Sequence, residues 1–148
     1  MLGIVFREDY LLRLIDQLAV FLCNVSGLNN LGEHEKALAE ADQAWSRLLE
    51  GGRVLVDAFD TPTLAAMLRD PAKLRVAAQL LQEEGRALAG AGDPQSAAVR
   101  YRRALELMLE LRATDREDRD RAAIAVLAQR VPASTMAPRY RNARLTVT

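Results

Sequence analysis

Three times the chain sets a capping oxygen directly before a proline, at Thr61-Pro62, Asp70-Pro71 and Asp93-Pro94. The oxygen can accept from the free amides of a first helical turn. The proline fixes φ and gives up only an amide that would lack an intrahelical partner. Each pair therefore reads as a helix start. Alternating with the glycine breaks at Gly32, Gly51-Gly52 and Gly90-Ala91-Gly92, they cut the sequence into short segments joined by tight turns. Such a chain must build its core by laying one helix against the next.

The apolar spacing between the breaks agrees. Leu11, Leu14, Ile15, Leu18, Leu22 and Val25 recur at three- and four-residue steps, and Asn29, Asn30 and Gly32 end the stripe. A second helix runs from about Glu33 through Ala37, Ala41, Ala44, Trp45 and Leu48. Val54–Val56 could be a short strand, but no partner strand is visible, so helix or irregular structure is expected. Helices beginning at Thr61-Pro62, Pro71 and Pro94 follow. Thr114 with Glu117 three residues on predicts a capping box that opens a last helix carrying Ile124, Leu127 and Val131. Half of the residues are apolar and few are aromatic, a balance that favours helices packed through small residues over a β-sandwich. The expectation is an all-α domain of about six helices over residues 1–131, then a loose basic tail over 132–148.

Internal similarity sharpens this. Gly85, Ala97, Tyr101 and Ala104 follow a small–small–aromatic–small pattern, in which small residues let two antiparallel helices approach and the ring fills the neighbouring hole. Leu31–Leu38, followed by Ala41 and Ala44, forms an earlier partial copy. The spacing resembles tetratricopeptide repeats. With the opening stretch Asp9–Leu18, residues 7–112 resemble small bacterial tetratricopeptide-like proteins of unassigned function. The resemblance implies stacked helical hairpins and a general binding role. The copies stand 60 residues apart, short of the roughly 68 that two repeats would occupy. A degenerate middle hairpin is expected.

Charge and reactive residues narrow the function classes. Twenty basic side chains cancel twenty acidic ones, so no overall field favours nucleic acid. Lys36 and Lys73 are the only lysines. Cys23 is alone and excludes an internal disulfide or a cysteine zinc cage; it is expected to be a buried thiol. His34, the one histidine, is expected to be structural or solvent-facing, and Trp45 to be core. Asp115, Glu117, Asp118 and Asp120 interleave with arginines and read as a self-paired helix start rather than a calcium loop. No phosphate-binding glycine loop is present. The opening residues lack the basic segment of a secretion signal, and no apolar run approaches membrane-spanning length, which points to the cytoplasm.

These features suggest a non-catalytic interaction module or scaffold with no cofactor and no metal, binding a protein or peptide on its hairpin surface, with a homodimer possible. The candidate partner-binding residues are Arg86, Arg100, Arg103, Arg139, Arg141 and Arg144. The alternative is an acidic partner or nucleic acid held by the arginine-rich C-terminal region.

Overall fold

The computed structural model describes residues 2–147, with side chains from Arg7 onward. Among these residues there is no β-strand, and the all-α expectation holds. Eight α-helices follow one another: α1 (Leu2–Asn30), α2 (His34–Leu48), α3 (Arg53–Ala58), α4 (Thr61–Leu68), α5 (Pro71–Gly90), α6 (Pro94–Thr114), α7 (Asp118–Arg130) and α8 (Pro138–Leu145). The count exceeds six because the Val54–Val56 stretch is a helix of its own and the C-terminal segment holds another.

Two long pairs carry the core. α1 packs on α2 and α5 on α6, while α5 also lies against both α1 and α2. α7 closes onto α6, and the short α4 and α8 rest on α6 as well. The turns of the two pairs are made by the same hydrogen bonds, 60 residues apart. Glu33 N–H donates to the Leu28 carbonyl as Asp93 N–H does to that of Leu88, each at 2.9 Å. Gly32 and Gly92 donate to the carbonyls of Asn29 and Ala89. Both glycines have φ near +80°, at 76° and 87°, a conformation that costs a Cβ-bearing residue energy and glycine little.

Close packing follows the small-residue pattern. Ala37, Ala41, Ala44 and Ala104 are fully buried. The Tyr101 ring lies over Gly85, where a Cβ would come within 2.7 Å of it. The His34 ring lies so close over Gly90 that a Cβ there would collide with it, and its Nδ1 pairs with Asn29 Oδ1 at 3.0 Å. Trp45 is fully buried, as expected of a core residue.

Several local expectations are corrected. Asp70 and Asp93 cap their helices, accepting from Ala72 and Ser96 amides. At the third start the cap is Asp60, which accepts from Thr63 N–H at 2.9 Å. Thr61 is instead buried and donates its hydroxyl to Glu106 at 2.6 Å. The Thr114–Glu117 capping box does not form: Thr114 ends α6 and bonds back to the Leu111 carbonyl, and Glu117 precedes α7 without a side-chain cap. Cys23 is exposed, because it lies off the Leu18–Val25 stripe that α1 buries. Of the expected loose tail over 132–148, the described residues 132–147 are ordered against the fold, and Thr148 lies outside the described residues. After a one-turn 3₁₀ helix at Ala133–Thr135, α8 docks with Met136, Tyr140 and Val147 buried. Finally, Arg7–Asn30 is long and apolar enough, by length and composition, to cross a membrane, with a mean hydropathy of 1.5. About 17% of that stretch is buried, Leu14, Leu18 and Val25 among it.

Candidate functional site

The arginines singled out from the sequence do not converge on one site. Arg86 donates to Glu83 at 2.8 Å and to Asn30 at 2.7 Å, tying α5 to the end of α1. Arg100 bonds Asp57 at 3.1 Å. Arg103 donates to the Val56 carbonyl at 2.9 Å and to that of Phe59. Both therefore hold α3 onto α6. Arg139 pairs with Glu110, and Arg144 donates to the Val131 and Ala128 carbonyls at 2.8 and 3.0 Å, fixing α8. Arg141 is exposed, with no ion pair among the described residues. Five of the six thus have partners within the fold.

Two buried carboxylates anchor these networks. Glu84 is 2% exposed; it accepts from Trp45 Nε1 at 3.3 Å and pairs with Arg53. Burial pushes its carboxyl above the usual range, and Arg53 and Arg100 pull it back. Asp120, also 2% exposed, takes two bonds from Arg75, at 3.0 and 2.9 Å. Those bonds hold it below the usual carboxylate range. Arg75 also reaches Asp115 at 2.9 Å, so the acidic run is paired in two ways: Glu117 with Arg119 and Asp118 with Arg121 within it, and Asp115 and Asp120 with Arg75 of α5.

One surface keeps polar groups without partners. Gln79 and Gln82 of α5 form a ridge between two hollows. The hollow on the α1 side, about 260 Å³, is walled by Leu22, Cys23 and Ser26. The hollow on the α7 side, about 210 Å³, is walled by Ala123, Leu127 and Met108. Charged neighbours are occupied: Glu83 by Asn29 and Arg86, and Arg75 by Asp115 and Asp120. Neither glutamine side chain has a hydrogen-bond partner among the described residues. The face thus offers two partly apolar hollows across an amide ridge, the one on the α7 side also lined by Arg75, Arg119 and Asp120. From the sequence, Gln79 and Gln82 with Glu83 and Arg86 read as an inner face poorly matched to a clamp for a terminal carboxylate; the hollows emerge only once α1 and α7 are placed.

Among the described residues, no three His, Cys, Asp or Glu side chains gather as a metal would require. No protein-family model, curated protein or solved structure matches this chain.

Proposed function

We propose that this chain is a tetratricopeptide-like interaction module that holds a segment of another protein across α1, α5 and α7. The observation that carries this reading is the ridge shared by two hollows. A segment crossing α5 can place apolar side chains on both sides while the Gln79 and Gln82 amides pair with its backbone. Recognition needs no catalytic group, and the charges beside the ridge are already satisfied, which suits an uncharged stretch. The matching turns of the two helix pairs support the repeat reading. The alternative, capture of nucleic acid by the C-terminal arginines, is weakened because Arg139 and Arg144 serve their own fold. Self-association along α1 belongs to the same proposal, since Leu12 and Val20 are exposed on that helix.

A photocrosslinking amino acid placed at the half-buried Gln82 tests this against one placed at Val99 on α6, which is exposed. The expected result is one defined polypeptide crosslinked from position 82 and absent from position 99. Equal or absent crosslinking at the two positions would overturn the reading.

A further inference from the structure

A different surface gathers cations that the fold does not use. Between the start of α1 and the turn from α4 to α5 lies an open hollow of about 570 Å³, in the size range of small-molecule sites. Arg7, Arg69 and Lys73 line it from three separate elements, together with Tyr10 and Met67. None of the three cations has an ion pair or hydrogen bond among the described residues, whereas most arginines here are engaged. The only acid lining the hollow is Asp70, whose carboxylate accepts from Ala72 N–H at 2.8 Å. Asp70 offsets one of the three positive charges and leaves two.

The backbone adds a second observation. Arg69 has φ 65° and ψ −54°, and Asp70 N–H donates to the Leu68 carbonyl at 2.7 Å. This is a γ-turn of the rare positive-φ kind, a strained conformation for a residue with a Cβ. Arg69 is the one non-glycine residue with positive φ among those described. Glycine would relieve the strain, yet the position holds an arginine whose side chain makes no hydrogen bond or ion pair among the described residues. Beside it, Tyr10 is 66% and Met67 40% exposed, giving an apolar wall next to the charges.

We infer that this hollow binds a phosphate monoester bearing an aromatic ring. Such a phosphate carries nearly two negative charges at neutral pH, matching the surplus. Guanidinium forks and a lysine point charge are suited to its oxygens, and the ring would lie on Tyr10 and Met67. The site is independent of the groove over α5.

The test is a titration of the isotopically labelled full chain, followed by NMR shifts, with phenyl phosphate, inorganic phosphate and phenol as probes. Phenyl phosphate is expected to saturate the amides of residues 7–11 and 67–73 and to bind at least about fivefold more tightly than inorganic phosphate. Phenol alone should not saturate them. Arg69→Gln and Lys73→Gln should each weaken phenyl phosphate about tenfold, the loss of one charge-assisted bond, and Lys36→Gln should not. Arg69→Gly is a second variant that keeps the chain folded by removing the strain, and it should lose the same affinity. Tyr10→Ala should abolish the advantage over inorganic phosphate. No saturation by phenyl phosphate, equal affinity in Arg69→Gln and Lys36→Gln, or equal binding of phenyl and inorganic phosphate would each overturn the inference.

Discussion

Gly27 and Gly85 both lie inside helices, α1 and α5, and replacing each by alanine separates local propensity from packing. In a helix interior, alanine is favoured over glycine by about 0.5–1 kcal/mol. At Gly27 a Cβ meets nothing within 4 Å, so Gly27→Ala should realise that gain in full. At Gly85 the new carbon would stand 2.7 Å from Tyr101 Cε1 and 2.8 Å from Cζ. The ring cannot swing aside easily, being 6% exposed with the Arg130 guanidinium 5.1 Å from its centre. Overpacking of this kind costs about 1–3 kcal/mol. Gly85→Ala should therefore be destabilised by up to about 2 kcal/mol, and the two variants should differ by roughly 1–3 kcal/mol. At about 2–4 °C per kcal/mol for a chain of this size, their melting temperatures should fall on opposite sides of the parent. Thermal and urea unfolding followed by far-ultraviolet circular dichroism measures this directly. In a Tyr101→Ala background the clash is gone, and Gly85→Ala should then stabilise as Gly27→Ala does. If Gly85→Ala raised the melting temperature as much as Gly27→Ala with Tyr101 intact, the packing of the ring over Gly85 would be refuted.

Other perturbations test the polar networks and the C-terminal segment. Asp120 is held below the ordinary carboxylate range by Arg75. Its contribution is present above the unfolded value and is lost as pH falls through the lowered folded value. The urea midpoint should thus drop more steeply below about pH 4 in the parent than in Asp120→Asn, and parallel profiles would show that the pair adds nothing. Glu84→Ala leaves Arg53 with Asp57 alone, at 3.4 Å, and Trp45 Nε1 without its acceptor, and should cost about 1–3 kcal/mol, read as a lower urea midpoint; an unchanged midpoint would contradict the burial. Truncation after Val131 removes Tyr140, Met136 and Val147 from the core and should lower stability by about 3–5 kcal/mol. A truncated chain as stable as the parent would mean that α8 does not contribute to the fold.

The sequence made the long helices legible because their signals are local. Asp70-Pro71 and Asp93-Pro94 mark starts whose caps form within three residues, and the alanine and leucine stripes repeat at the helical period. The Gly85–Tyr101 contact was also readable, since the spacing of small and aromatic residues encodes a crossing between neighbouring helices. Longer-range choices were not readable. Thr114 and Glu117 satisfy the pattern of a capping box, yet α6 continues through Thr114. Glu117 instead pairs with its neighbour Arg119 at 2.5 Å and has Arg75 at 3.5 Å, and nothing near residue 114 announces the partner near residue 75. The C-terminal segment looked loose because its apolar residues are few; three of them, Met136, Tyr140 and Val147, are buried. The hollows beside Gln79 and Gln82 depend on where α1 and α7 sit, and no local pattern contains that placement.

The degenerate middle shows why the arginines were misread. α3 and α4 have 6 and 8 residues, and helices so short are marginal on their own because nucleation is not repaid within one or two turns. Their apolar contribution is small too: Val56, Leu64 and Leu68 are the large apolar side chains they bury. What fastens them is polar. Arg53 reaches Glu84 on α5, Arg100 reaches Asp57, Arg103 reaches the carbonyls of Val56 in α3 and of Phe59 just after it, and Thr61 reaches Glu106 on α6. An arginine can satisfy several acceptors at once through its planar fork, so it is suited to pinning a short helix whose carbonyls would otherwise lack partners. Arginines on α6 that seemed offered to a partner are therefore needed where the repeat spacing breaks down, because the 60-residue offset leaves too little chain for a full hairpin. The cations around the hollow beside Tyr10 differ: the side chains of Arg7, Arg69 and Lys73 make no hydrogen bond or ion pair among the described residues, and Asp70 is the one acid beside them. Arg69 stands there on a strained backbone. Arginines such as Arg141 are also left without an ion pair, but Arg7, Arg69 and Lys73 share one hollow, which makes the surface beside Tyr10 a place where positive charge is gathered for something outside the chain.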